Sequence, residues 1–374
     1  SSFYFGDTGG NWENIGSQVA SLLGASLSGE PLTGASIDGI NGGGNAQIAI
    51  RDFEWKTFTP LLFNINDQSQ YSKTPFAYNP KMTKINQAYL KLRKQLKPYL
   101  YTWIYRSLNG EAIVRPLFID FPHEKINYTE QVKHEFMLGS SILVAPITNG
   151  QETEKGDSRK NNLYLPDHRT MWIDLFTGQK YIGGRVYNKL TYPTWHLPVF
   201  VRGGAIFDLG QRNFVFYPQG KSTISFYDDN DFTDFNHNHT ETKVSSNLDS
   251  SKLTINIDPV KGDFAGMTTE LPTNLNIMCD SYPDSVLVKI NDQIIKLQEY
   301  GTSDVFEHAK EGYFFNTNYS FMPEFDQYHD AKQTALQIKL AKRDITDSKI
   351  EIIIQNFNYG GQTLVHSITD SVLH

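Results

Sequence analysis

The 374 residues hold 34 Lys and Arg against 41 Asp and Glu, a formal charge of −7, and this acidic balance excludes a basic nucleic-acid footprint. No apolar stretch reaches the about eighteen residues that a membrane span needs, so neither nucleic acid nor membrane is an expected partner. The hydrophobic fraction of 39% supplies several cores, and the lone Cys279 excludes a disulfide framework and a cysteine-rich metal site, reading instead as a buried thiol.

The chain opens on Tyr4-Phe5-Gly6-Asp7, a strand-like run that ends in a glycine and a carboxylate. Asn11 then caps a helix whose apolar positions Ile15, Val19, Leu22 and Leu23 recur at helical spacing, until Gly29 and Pro31 break it. A second strand is expected over Leu32 to Asp38, followed by the glycine-rich loop Gly39 to Gly44, a helix over Ile48 to Phe58 and a third buried strand over Leu61 to Ile65. The apolar face Ile85, Tyr89, Leu92, Leu96, Leu100 and Trp103 predicts a long helix that Pro98 kinks or splits. This strand–helix alternation marks residues 1–112 as βα units. A parallel strand needs neighbours, and the three residues ahead of Tyr4 cannot supply one, so the chain reads as beginning inside a fold.

From Ile113 the period changes to two. Ile142 to Pro146, Asn162 to Leu165, Met171 to Leu175 and Val199 to Val201 are short strands separated by turns such as Thr177-Gly178, and they predict an antiparallel sandwich over 113–210. Gln151 to Lys160 reads as a surface hairpin tip, and Trp172 and Trp195 as core positions. A second β-rich block over 211–374 includes the hairpin Val286 to Ile290 and Ile294 to Leu297, joined through Asn291-Asp292. The stretch Thr302 to Gln333 has no usable period.

Three strand ends present carboxylates, namely Asp7, Asp38 and Asp67, beside glycine-rich or polar loops. Convergence of side chains from the carboxyl ends of several parallel strands is how a (β/α)8 barrel builds its site. An aspartate after a strand also serves as a helix cap or turn former, and Asp38 and Asp67 are open to that reading. Asp7 is the better candidate, since Gly6 lets the backbone approach a ligand and Trp12 offers an apolar platform. The acidic run Asp228, Asp229, Asp231 and Asp234, with His237 and His239 nearby, lacks the glycine and terminal glutamate of a calcium loop and is read as structural, so no metal is expected.

In one consistent order the chain carries Gly6-Asp7 with Trp12, then GASIDG (34–39), RDFEWKTFTP (51–60), LKPYLYT (96–102), RPLF (115–118), FMLGSSILVAPI (136–147), LYLP (163–166), LPVFVRGGAI (197–206) and YDDNDFT (227–233). This order resembles glycoside hydrolase family 31, and the spellings at Gly10, Gly29 and Gly39 are closest to its 6-α-glucosyltransferase, 3-α-isomaltosyltransferase and cycloalternan-related branch. The resemblance implies the last three βα units of a (β/α)8 barrel over 1–112, a proximal β-sandwich over 113–210 and a distal β-domain over 211–374. It also implies a retaining α-glucosidase or α-glucosyl transferase that needs no organic cofactor and takes an α-glucan or oligosaccharide as substrate. Asp7 matches the family's acid/base, Asp38 a substrate-binding aspartate of the isomaltosyl branch, and Trp12 and Asn66 fall on the substrate side. Arg51, Arg115 and Arg202 read as packing residues.

Two departures stand out. The family's aspartate two residues before Asp38 is Ser36 here, and its histidine after the last barrel strand is Ile65. The family's nucleophile motif has no match in the right order, so the nucleophile is expected from an amino-terminal part of the same enzyme, on another polypeptide or outside this sequence, and the chain alone is expected to be inactive. The rival reading is a non-catalytic carbohydrate-binding or assembly protein of the same fold. Asn/Ser/Thr-rich β-domains with scarce cysteine lean toward a bacterial extracellular or cell-surface protein.

Overall fold

The computed structural model describes residues 2–6, 8–66, 71–230 and 238–360, together with the backbone of 364–365. Of the positions singled out above, Asp7, Asp67, Asp231, Asp234 and His237 lie outside the described residues.

Strands β1 (Phe3–Tyr4) and β2 (Thr33–Gly34) pair in parallel, and a parallel bridge between Ser36 and Phe63 adds a third segment on the far side. The expected strands over 32–38 and 61–65 are thus much shorter than their apolar runs suggest. The reason lies in Ser36, whose hydroxyl accepts from the Ile65 amide at 2.9 Å and donates to the Ile65 carbonyl at 3.0 Å. A side chain takes the place of the backbone ladder there. Asp38 then turns the chain away with a left-handed φ of 58°.

Helix α1 (Trp12–Leu27) starts as expected at Asn11, whose side chain accepts from the Asn14 amide at 2.9 Å, and Gly29 leaves it with φ 83°. Helix α2 (Ala46–Lys56) is capped by Asn45, and every residue from Ile48 to Lys56 is buried. The long helix is two, α3 (Pro80–Gln95) and α4 (Lys97–Ser107), meeting at Leu96 just before Pro98. Ring and lock of the position explain the break: proline lacks the amide that would continue the ladder.

Beyond Val114 the architecture is mostly β, interrupted by short helical turns such as Leu117–Asp120 and Ser303–Glu307. A seven-stranded sheet runs in the order 364–365, 180–182, 171–174, 199–202, 142–144, 136–138, 114–116. Two further sheets follow, one built on 206–208, 213–216, 270–278, 333–344, 312–319 and 299–300, the other on 221–229, 239–249, 252–257, 350–355, 285–290 and 293–295. Pairing is mostly antiparallel, but 213–216 beside 270–278, 299–300 beside 312–319 and 364–365 beside 180–182 are parallel, which a period of two cannot reveal. The hairpin at Asn291-Asp292 is present, with φ of 50° and 64°. The 151–160 stretch is not simply a surface tip, since Ser158 and Lys160 are buried.

Ser158 is buried because it meets Arg51. That guanidinium, wholly buried on α2, donates from Nη1 to Glu54 Oε2 (2.9 Å) and His196 O (3.0 Å). Nη2 reaches Tyr192 O (2.7 Å), Pro193 O (3.0 Å) and Ser158 Oγ (3.0 Å), and Nε reaches the same hydroxyl at 3.2 Å. Burial outweighs this pairing for Glu54 and raises its carboxyl to about 7. We expect Arg51→Met to lower the unfolding free energy by about 3–5 kcal/mol, because Glu54 is left buried alone. Adding Glu54→Met should recover a large part of that loss, measured as a double-mutant cycle by urea denaturation.

Candidate active site

The carboxyl ends of the parallel segments feed loops that close on one another. Thr8 O accepts from the Asn41 amide at 3.2 Å, and Thr8 Oγ1 accepts from Gln18 Nε2 at 2.8 Å, so the loop after β1 is held to the loop after β2 and to α1. The approach is too close for side chains. A Cβ on Gly10 would come within 2.3 Å of Asp38 Oδ1, and one on Gly39 within 2.4 Å of Thr8 O.

Under these loops lies a buried polar cluster. Asp52 of α2 accepts from the Asp38 amide (2.6 Å), from Lys56 Nζ (2.6 Å) and from Trp55 Nε1 (2.8 Å). Lys56 also donates to Ser36 O at 2.7 Å. Lys73, arriving from beyond the third segment, donates to Gly39 O, to Ile40 O (2.8 Å) and to Ile65 O (2.9 Å), tying two strand-end loops together. Burial lowers the pKa of both lysines. Neither Lys73 nor Tyr78 was singled out from the sequence, and no spacing signal marks them.

Asp38 sits at the centre, only 2% exposed. Its Oδ2 accepts from Tyr78 Oη at 2.9 Å, whereas Oδ1 has no hydrogen-bond partner among the described residues. Burial, opposed by the Tyr78 bond and reinforced by the Asp52 charge, raises its carboxyl from the ordinary 3.8 to about 6.

Trp12 is half-buried at the start of α1, and Gly150 of the β region lies so close that a Cβ there would come within 2.7 Å of the indole Nε1. Asn66 is exposed, with Nδ2 3.4 Å from Tyr71 O, and Ile65 beside it is 40% exposed. These positions surround the loops rather than touching the Asp38 carboxylate through any recorded hydrogen bond. Far from them, Asp229 accepts from Tyr101 Oη (3.0 Å) and Tyr227 Oη (2.7 Å), and His239 stacks on Tyr227 at 5.0 Å. Arg115 pairs with Asp120 at 3.0 Å and lies over Trp103, and Arg202 lies over Phe121, so both pack at the start of the β region.

With this geometry in place, the comparisons identify the family. Residues 1–103 match the glycosyl hydrolases family 31 TIM-barrel domain and residues 110–207 the family 31 C-terminal domain, together more than half of the chain. The chain belongs to glycoside hydrolase family 31, combining part of its TIM barrel with a C-terminal region of mostly antiparallel sheets. An alpha-xylosidase of Saccharolobus solfataricus is 31% identical over 248 residues, covering 61% of this chain and 32% of that protein. Alpha-glucosidase 2 of Bacillus thermoamyloliquefaciens is 27% identical over 238 residues, covering 60% of this chain and 29% of its own length. The chain therefore spans about a third of the length of these curated relatives. Among solved structures, the cycloalternan-forming enzyme from Listeria monocytogenes, in complex with a pentasaccharide substrate, shares the fold with a TM-score of 0.74 at 23% identity, over 96% of this chain and 32% of that one. A family 31 dextranase from Flavobacterium johnsoniae, complexed with glucose, gives 0.77 at 19% identity, over 94% and 44%.

The raised Asp38 carboxyl has a consequence for stability. Between about pH 4 and 6 the folded state holds a proton that the unfolded chain has released, so ionisation of Asp38 destabilises the fold as pH rises through that window. Asp38→Asn should remove that loss, leaving the variant up to about 3 kcal/mol more stable relative to the parent at pH 7 than at pH 4. Urea denaturation at both pH values tests this, and a difference that does not change with pH would contradict it.

Proposed function

We propose that the protein acts as a retaining glycosidase or transglycosidase on α-linked glucosyl units, with Asp7 as the acid/base. The observation that supports this reading is the ordered family match across strand-end loops that close on one another at the carboxyl end of a parallel barrel segment, the place where barrel enzymes hold their chemistry. Within it, Trp12, Asp38 and Asn66 are assigned to the substrate side of the mouth, Asp38 through the Oδ1 that lacks a donor. The division into barrel units over 1–112, a proximal sandwich over 113–210 and a distal β-domain over 211–374 belongs to the same proposal.

The chemistry needs two carboxyl groups about 5 Å apart. One attacks the anomeric carbon as the glycosidic C–O bond breaks, and the Asp7 proton goes to the departing oxygen. Asp7, now a carboxylate, takes a proton from water or an acceptor hydroxyl, whose oxygen attacks the same carbon and displaces the first carboxylate. The attacking carboxylate and the remaining barrel strands come, on this reading, from polypeptide beyond these residues. Relatives in the solved structures hold a pentasaccharide and glucose, which fits an oligosaccharide of glucosyl units as substrate here.

Asp7→Asn in the complete enzyme should lower turnover of isomaltose by about 10²–10⁴-fold. With an aryl α-glucoside, whose leaving group needs no proton, added azide should restore turnover and yield the α-glucosyl azide, the stereochemical mark of retention. Unchanged turnover in the variant would remove Asp7 from the acid/base role, and no turnover of either substrate by the unsubstituted protein would favour a carbohydrate-binding protein of the same fold. Products from isomaltose, maltose and panose at high concentration should include longer oligosaccharides, and glucose as the sole product would make the protein a hydrolase.

A further inference from the structure

Away from that mouth, one face of the sheet containing 213–216, 270–278, 333–344 and 312–319 carries a directed row of side-chain amides. Asn316 Nδ2 donates to Gln337 Oε1 (3.0 Å), Gln337 Nε2 to Asn276 Oδ1 (2.8 Å) and Asn276 Nδ2 to Asn213 Oδ1 (3.0 Å), crossing four adjacent strands. The row ends at Asn213, whose own Nδ2 makes no hydrogen bond among the described residues. Asn274 projects on the same face as Asn276, being two residues away on one strand, and its half-buried side-chain amide likewise makes no hydrogen bond among the described residues.

The amides of Asn213, Asn274, Asn276 and Gln337 border a cleft of about 320 Å³, walled on other sides by Phe306, Tyr319 and Phe321 and reached by Gln95 from the end of α3. Gln95 Oε1 is buried there without a donor among the described residues. Among the described lining residues no carboxylate appears, and the cation, Lys339, is engaged, donating to Phe306 O (2.9 Å) and Glu307 O (2.8 Å). A metal cation therefore finds no counter-charge, and an anion meets only a lysine already committed to two carbonyls. A purely apolar ligand would leave the amides unpaired, at the cost of their desolvation. The lining fits a neutral molecule with hydroxyls that both donate and accept, and with C–H faces for the aromatic wall.

We propose that this cleft binds a glucosyl unit of an α-glucan chain at a site distinct from the catalytic mouth, with which it shares no lining residue. The choice of a glucan rests on the function proposed above; the neutral, hydroxyl-rich character of the ligand rests on the amides alone. A second grip on a long chain raises its effective concentration at the mouth without altering the chemical step.

The test is electrophoresis of the complete protein in native gels containing dextran or soluble starch, with Asn274→Leu, which blocks the cleft, and Asn274→Asp, which keeps shape but adds charge. The unsubstituted protein should be retarded in at least one polymer, and each variant should lose affinity by about fivefold or more. The ratio of KM on polymer to KM on an aryl α-glucoside should rise by a similar factor. Absence of retardation in both polymers, or variants retarded as strongly as the parent, would overturn the proposal, as would an equal rise in both KM values, which would place Asn274 at the mouth. Asp7→Asn, run alongside, separates the two readings: retained turnover with lost retardation in the Asn274 variants leaves the cleft standing without the catalytic assignment, and lost turnover with unaltered retardation leaves the reverse.

Discussion

Helix α2 is the part on which the rest of the molecule is hung, because four ionisable residues on it are buried and each is matched to something different. Arg51 and Glu54 pair one turn apart, as do Asp52 and Lys56. Arg51 then reaches outward to the carbonyls of Tyr192, Pro193 and His196, while Asp52 and Lys56 reach inward to Asp38 and Ser36. A charge removed from water needs nearly all of its donors or acceptors satisfied, so the helix has very little freedom to shift. Its position is fixed from both sides, and so is the loop after β2.

That fixation separates the two neighbouring carboxylates. Among the described residues Asp52 has three donors, one of them a lysine, whereas the Asp38 carboxylate has one phenol and an oxygen without a donor. A site that must discriminate between protonation states needs environments that differ in this way over a few ångströms. The difference arises from chain geometry: the left-handed turn at Asp38 directs its amide, not its carboxylate, toward Asp52.

Much of the barrel segment, and one hairpin of the β region, was legible because local physics wrote it. Asn11 before an apolar period, Pro98 inside one, and Asn291-Asp292 between two alternating runs each act within a few residues, and each acts in the structure as its chemistry requires. Helix α2 was found from its apolar residues, but its full burial could not be read, since a buried arginine and a solvated one are spelled alike. Lys73 and Tyr78 were invisible for a related reason. They meet Gly39 and Asp38 across more than thirty residues of chain, through contacts that depend on how the third segment returns. The parallel pairs among the sheets escaped likewise, because alternation reports which face is buried and not which way a neighbour runs.

Ser36 shows how a departure from the family pattern can have a structural meaning. An aspartate at that position, by resemblance, would hold a sugar hydroxyl. The serine hydroxyl here donates to one backbone group of Ile65 and accepts from another, so it is fully engaged in joining the second segment to the third. Lys73 strengthens the same junction by binding the Ile65 carbonyl together with the carbonyls of Gly39 and Ile40. A carboxylate in place of Ser36 could not donate to the Ile65 carbonyl and would repel it. The strand end would then have to open, releasing the loop that holds Asp38. The serine at this single position therefore closes the strand end with a side chain that both donates and accepts, and in doing so it holds in place the loop that carries Asp38.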